Sequence, residues 1–254
     1  MLLCIDIGNT NIVLGCYKGD ELVFYSRMSS SKNRLGDQYA VDINDILSLY
    51  KVDKSQIHSA ILSSVVPSVT KEIFMAVKLV LSITPMVVGP GIKTGLNIKI
   101  DDPGQLGSDM AVTAVAAKSK YPLPIIIVDM GTATTFSIIA RNGDFLGGSI
   151  LPGLSISTEA LVEKTSLLTG ISFEAPRSVI GTNTSDSMKS GAIFGTASMI
   201  EGMCHRYFQE IGDDATTIVT GGLAEIIAKH CRVEMIVDQL LLLEGLKIIY
   251  NKNI

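Results

Sequence analysis

Apolar residues at the start of the chain fall into three short runs, LLCIDI, NIVLGCY and ELVFYSRM, separated by Gly8-Asn9 and Gly19-Asp20. Runs of this length bounded by turn residues predict three strands joined by tight turns. The pattern then changes period. YAVDINDILSLY and SVTKEIFMAVKLVLS repeat their apolar residues every three to four positions, as amphipathic helices do. They alternate with the apolar runs HSAILSSVV and PMVVG, which read as strands. Helices alternating with strands predict an α/β protein whose sheets are covered by helices.

At residue 125 the opening pattern returns. IIIVDMGTATTFSIIARNGDFLGGSI again reads strand, Asp-x-Gly turn, strand, Gly-Asp turn, strand. Asp6 and Gly8 correspond to Asp129 and Gly131; Gly19-Asp20 corresponds to Gly143-Asp144 with one residue inserted. This implies an internal duplication with a break near residue 120, at KYPLP, and so two domains, 1–120 and 121–254. In the second half, helices are expected after Gly153 and after Ser185, then a strand at TTIVT and a helix from Leu223. A strand at VEMIV and a last helix from Gln239 complete the series.

Composition narrows the classes. The 254 residues leave room for two domains, and 47% hydrophobic with 18% charged residues is a globular composition. The net charge is −4 with no basic tract, which argues against nucleic acid or an anionic membrane as partner. No apolar run approaches the ~18 residues of a membrane span, and the N-terminus lacks the basic region of a signal peptide. Cys4, Cys16, Cys204 and Cys231 lack metal or redox spacing and read as reduced thiols in a cytoplasmic protein. His58, His205 and His230 likewise show no ligand spacing.

Three loops carry candidate chemistry. DIGNTN ends a buried strand, and Gly8 permits backbone angles closed to other residues. Its N–H groups, with the side chains of Asn9, Thr10 and Asn11, suit phosphate oxygens, and Asp6 is placed to hold Mg²⁺. The plainer alternative is a hairpin turn with an Asx hydrogen bond. DMGTATTF, with Gly131 and Thr132, makes a second copy and a pair of phosphate loops. TGGLAEII adds Gly221 and Gly222, either a close approach to a nucleotide or an ordinary strand-to-helix turn. No G-x-G-x-x-G follows either Asp-x-Gly loop and no G-K-[ST] occurs, so Rossmann and P-loop readings fail. In LGSDMA, Asp109 opens a helix and is either its cap or a general base.

Paired related domains serving one nucleotide are the architecture of the actin, hexokinase and sugar-kinase superfamily. Within it the chain resembles the type III pantothenate kinases along nearly its full length. The matching segments are DIGNTNIVLG, SSVVP, VGPGIKTGLNI, LGSDMA, DMGTATTF, GGSILPGL, NTSDSMKSGAIFG, TGGLA and LLLLEGL, in family order. The resemblance implies duplicated actin-like (ribonuclease H-like) domains, a homodimer, and phosphorylation of pantothenate by ATP as the first step of coenzyme A biosynthesis. It implies Asp6, Gly8, Asn9 and Thr10 as the first ATP loop and Gly131 and Thr132 as the second. Asp129 would face a monovalent cation, K⁺ or NH₄⁺, and Asp109 would be the catalytic base. Thr184 would contact the substrate from the neighbouring subunit.

The chain departs from the family on the acceptor side. Gly107, Ser108, Asp109 and Met110 stand where the family has Gly-Ala-Asp-Arg, and Ile100 stands where it has a tyrosine lining the pantothenate pocket. Methionine offers neither the charge nor the donors of arginine. Lys93 and Lys99 are candidates for a replacement cation, or simply solvated loop lysines. The alternatives are a paralogue that phosphorylates another alcohol, or a nucleotide-binding regulatory dimer without enzymatic activity. Thr182 and Gln239 also depart from the family and are expected to lie away from the chemistry.

Overall fold

The computed structural model describes residues 1–212 and 214–254. The first half holds β1 (Leu2–Ile7), β2 (Asn11–Lys18), β3 (Glu21–Ser29), α1 (Gly36–Leu49), β4 (Ser59–Ser64), α2 (Pro67–Leu81), β5 (Met86–Val87), β6 (Asn97–Ile98) and α3 (Ser108–Lys120). The second holds β7 (Ile125–Met130), β8 (Ala133–Ile139), β9 (Asp144–Pro152), α4 (Leu154–Glu163), α5 (Thr184–Ser190), α6 (Thr196–Ile211), β10 (Thr216–Thr220), α7 (Ala224–Ala228), β11 (Ile236–Val237) and α8 (Leu241–Lys252). A π-helical turn, Gly191–Gly195, joins α5 to α6. Among the described residues no helix is long and apolar enough to cross a membrane.

The strands form two sheets, ordered β3-β2-β1-β4-β5 and β11-β10-β7-β8-β9-β6. In the first, β1 is antiparallel to β2 and parallel to β4, while β2 is antiparallel to β3 and β4 parallel to β5. In the second, β7 takes the place of β1, with β8 and β9 antiparallel on one side and β10 and β11 parallel on the other. The order and the strand senses repeat, so the fold is a duplicated actin-like α/β architecture. The short β6, which the apolar pattern does not single out, adds to the second sheet parallel to β9.

Strand periodicity sets where the acids point. In β1, Leu3, Ile5 and Ile7 join Tyr39, Ile43 and Leu47 of α1 and Val69, Ile73 and Val77 of α2 in one core. Each such side chain contributes about 1.5–3 kcal/mol on burial. Successive side chains alternate faces, so Asp6 belongs to the opposite face, as does Ser63, its register partner on β4. In β7, Ile126, Val128 and Met130 pack with Ile193, Ala197, Ile200 and Cys204, which puts Asp129 on the face away from that core. The duplication therefore preserves not only the Asp-x-Gly spacing but the face from which each acid projects.

The helices follow from local chemistry. Pro67 opens α2 at the position where its missing N–H costs nothing, and Ser82 ends it in the left-handed region. Val69, Ile73, Ala76 and Val77 form its buried stripe. The last helix begins at Leu241 rather than Gln239, because Asp238 Oδ1 accepts the Leu240 N–H (3.0 Å) and turns the chain there. Of VEMIV only Ile236–Val237 pairs, as an edge strand, and the helix expected from Leu223 is the short α7. Cys4, Cys16 and Cys204 are buried and free; burial pushes the Cys16 thiol up to about 11, so it behaves as a small apolar residue.

The chain divides into two units. The first comprises Met1–Gly95, Asp102–Ala116 and Leu241–Ile254; the second comprises Leu96–Asp101 and Ala117–Leu240. The first unit thus takes α8 from the second half of the chain, and small residues are the reason α8 fits. Leu243 fills the space a Cβ at Gly15 would occupy, its Cδ1 2.5 Å from that point. A Cβ on Gly245 would lie 2.0 Å from the Val112 carbonyl oxygen, so α8 and α3 touch backbone to backbone. The Tyr250 hydroxyl donates to Ser59 Oγ (2.7 Å) and ties α8 to β4.

Candidate active site

The first Asp-x-Gly loop is a hairpin tip. Ile7 pairs with Ile12, leaving Gly8–Asn11 as the loop, and the Gly8 N–H donates to Asn11 O (3.0 Å). The sequence predicts unusual backbone angles at Gly8. The structure instead leaves it outside the left-handed region. A Cβ there would stand 3.0 Å from Asn11 O, so a close carbonyl, not φ, favours glycine. Asp6 is buried at the strand end, while Asn9, Thr10 and Asn11 are exposed. Thr10 O accepts the Ser30 N–H (2.9 Å), which pins the loop to the end of β3.

The second loop is one residue shorter. Met130 pairs with Thr134, leaving Gly131–Ala133, and the Gly131 N–H donates to Ala133 O (3.0 Å). Two glycines close on it. The Gly153 N–H donates to Thr132 O (3.1 Å), and a Cβ at Gly153 would lie 2.3 Å from that oxygen. Gly221, at φ +95°, sits where a Cβ would be 2.7 Å from Asp129 Oδ1 and 2.6 Å from Met130 O. Neither approach tolerates a side chain. In the sequence Gly153 marks only the start of a helix, with no role in the loop attached. Carboxylate and backbone carbonyl oxygens, gathered here around Asp129, suit a hard monovalent cation.

Among the described residues no group of three or more His, Cys, Asp or Glu side chains assembles to hold a metal. Mg²⁺ is ordinarily held by one or two carboxylates plus substrate phosphates. Asp6 fits that manner of binding, in which the nucleotide supplies the remaining oxygens.

Asp109 stands in the first turn of α3. Its Oδ1 accepts the Met110 N–H (2.8 Å), and a Cβ at Gly107 would lie 2.5 Å from the same oxygen. The glycine before the acid therefore makes room for the carboxylate to fold back over the helix start. Burial pushes the Asp109 carboxyl above its ordinary range, against the backbone N–H bonds that lower it. Ser108 anchors this turn. Its hydroxyl donates to Ser64 O (2.8 Å) and accepts from Ser64 N (3.1 Å) and Ser63 Oγ (3.1 Å). Asp6, Ser63, Ser108 and Asp109 thus form a connected path from strand pairing to hydroxyl to helix. Ser63 carries no signal in the sequence beyond its place in SSVVP.

Met110 is half-buried in the same turn. Ile100 belongs to the second unit, where its Cγ2 lies 3.5 Å from the Cβ position of Gly147. Lys93 and Lys99 are both exposed; the Lys93 backbone is clamped by the Asn253 amide (both bonds 3.0 Å), and the Lys99 N–H donates to Phe145 O (2.8 Å). Thr184 is exposed at the start of α5, after Asn183, which caps it through the Asp186 N–H. Gly222 is exposed beside Gly221. Gln239 donates its Nε2 to Gly221 O (3.1 Å). A groove of about 740 Å³ between Arg141, Leu146, Tyr207 and Glu210 is lined by none of the predicted site residues.

The type III pantothenate kinase family matches residues 2–206 of the chain. A type III pantothenate kinase of Finegoldia magna is 45% identical over 256 residues, covering 100% of this chain and 98% of its own. That of Halalkalibacterium halodurans is 41% identical over 254 residues, covering 100% of both. Among solved structures, a Campylobacter jejuni protein assigned to the Baf family of transcriptional activators superposes with a TM-score of 0.61 at 22% identity, covering 99% of this chain and 98% of its own. A polyphosphate/ATP-glucomannokinase of Arthrobacter superposes with a TM-score of 0.51 at 11% identity, covering 99% and 98%. These two likenesses concern the fold alone.

Proposed function

The chain belongs to the type III pantothenate kinase family, and on that premise we propose how its own residues perform the reaction. It is an enzyme that phosphorylates pantothenate with ATP, in coenzyme A biosynthesis. Asp109 is the general base. Its Oδ1 is occupied by the Met110 N–H, and the other carboxylate oxygen takes the proton of the pantothenate hydroxyl as that oxygen attacks the γ-phosphorus. ADP is the leaving group. The observation that carries this reading is the glycine-flanked, half-buried carboxylate of Asp109, raised in pKa by burial. A base needs a proton affinity nearer neutrality than a surface acid has.

Phosphoryl transfer is otherwise a matter of placement and charge. We assign the Gly8–Asn11 and Gly131–Thr132 loops, with Gly221 and Gly222, to ATP; Asp6 to Mg²⁺; and Asp129 to a monovalent cation, K⁺ or NH₄⁺. The cations supply positive charge against the phosphate oxygens. Acceptor-dependent ADP release from pantothenate, ATP, Mg²⁺ and K⁺ tests the whole assignment, and no release under any of these conditions would refute it.

On the acceptor side we assign Ile100, Gly107, Ser108, Met110 and Thr184. Met110→Arg is expected to lower KM for pantothenate about tenfold or more with little change in kcat. A charged donor to the substrate carboxylate or amide is worth about 1.5–3 kcal/mol. An unchanged KM would show that residue 110 does not meet the acceptor.

A homodimer is the proposed assembly, with Thr184 facing the partner's substrate. What supports it is apolar surface. Ile150, Leu167, Val179 and Ile180 are 73%, 88%, 64% and 79% exposed, apolar surface that a second copy would cover. Sedimentation is expected to give a dimer mass, and Ile180→Asp to shift it toward the monomer. Residues 1–120 and 121–254 are the two proposed copies of the duplication. Four free cysteines support a reducing, cytoplasmic setting.

A further inference from the structure

One side chain outside both Asp-x-Gly loops reaches the carbonyl of Gly221. Gln239 Nε2 donates to Gly221 O at 3.1 Å, and the Ala224 N–H donates to the same oxygen at 3.2 Å. Gln239 is itself well fixed, because its neighbour Asp238 is buried and fully engaged. Asp238 Oδ2 accepts from Lys120 Nζ (2.8 Å) and from the Tyr121 hydroxyl (2.7 Å). Its Oδ1 accepts the Leu240 N–H, and its own N–H donates to Val219 O (2.9 Å). Gly221 in turn lies beside Asp129, close enough that a Cβ there would stand 2.7 Å from Asp129 Oδ1. A shift of the Gly221 turn therefore changes the surroundings of the Asp129 carboxylate.

We propose that Gln239 is a positioning residue that holds the Gly221 turn against Asp129 and so sets the affinity for ATP and for the monovalent cation. The proposal rests on the assignment of Gly221 and Asp129 to the nucleotide side of the site. Gln239 touches neither substrate; it acts through the carbonyl it holds. Loss of its one neutral hydrogen bond leaves the Ala224 N–H in place, so the effect is on binding rather than on folding.

The test is calorimetric titration of a non-hydrolysable ATP analogue with Mg²⁺, at low and at saturating K⁺, for the wild type, Gln239→Ala and Gln239→Glu. Gln239→Ala is expected to weaken analogue binding about three- to tenfold, the worth of one neutral hydrogen bond, to raise the half-saturating K⁺, and to leave kcat unchanged. Gln239→Glu fills the same space but turns an acceptor toward the Gly221 carbonyl, so it is expected to bind more weakly than Gln239→Ala. Wild-type affinity in both variants would overturn the inference. So would wild-type affinity in Gln239→Glu with loss only in Gln239→Ala, because that is the signature of space filling. No analogue binding by the wild type would instead refute the nucleotide assignment on which the inference stands.

Discussion

Asp109→Asn is expected to lose pantothenate-dependent ADP release by about 10²–10⁴-fold, the usual worth of a general base, while remaining folded. The asparagine carboxamide keeps an oxygen that can accept the Met110 N–H, so the first turn of α3 survives. The stability of the variant separates catalysis from capping. Burial raises the Asp109 pKa in the folded protein. A carboxyl with a raised folded pKa stabilises most below its unfolded pKa, and that contribution is lost as pH rises through the folded value. At neutral pH the ionised carboxylate therefore costs stability, and Asp109→Asn is expected to melt at the same temperature as the wild type or higher. The difference should shrink as pH falls through the carboxylate range. The same shift places the acid limb of the wild-type kcat/KM profile above the ordinary range of an aspartate. A variant that melts lower and keeps its activity would make Asp109 a cap and nothing more.

Gly245→Ala is expected to lower both stability and kcat. Alanine in place of a helical glycine ordinarily gains up to about 1 kcal/mol. Here the new Cβ would stand 2.0 Å from Val112 O and 2.8 Å from its carbonyl carbon. Backbone cannot step aside as a side-chain tip can, and overpacking of this kind costs about 1–3 kcal/mol or more. The clash outweighs the propensity gain. Val112 lies about one helical turn beyond Asp109, so α3 has to move with Asp109 on it. The matched control is Gly202→Ala on α6, where nothing lies within 4 Å of the added carbon; it is expected to be neutral or mildly stabilising. Thermal melts and steady-state kinetics on the two variants check the pair, and equal behaviour would contradict the backbone contact between α8 and α3.

What the sequence made legible was whatever a local pattern can carry. The two Asp-x-Gly hairpins, their Gly-Asp turns and the alternation of strands with helices all lie within short windows. The duplicated sheets follow from them. Contacts made across long stretches of chain left no such trace. Ser63 and Ser108 meet through hydroxyls 45 positions apart, and Gln239 reaches back 18 positions to Gly221. Gly8 was legible as a necessary glycine but for the wrong reason, because periodicity says nothing of a carbonyl folding back from Asn11. The apolar pattern puts the start of α8 at Gln239 rather than Leu241, because the Asp238 side chain decides where the chain turns. Edge strands such as β11 bury too little to impose a pattern of their own.

The last helix has a consequence for the timing of synthesis. Leu241–Ile254 complete a unit whose other parts, Met1–Gly95 and Asp102–Ala116, leave the ribosome before any of Ala117–Leu240. At roughly 5–20 residues per second, several seconds separate the two. Through that interval Val112 lacks the helix that packs on it, and the turn carrying Asp109 is without its backing. The nascent chain therefore waits unfinished at the Asp109 turn, and the strands of the first sheet stay uncovered on the face that α8 will occupy. Proteolytic loss of this one helix would return a completed molecule to that early condition, with both Asp-x-Gly loops present and the Asp109 turn without its backing.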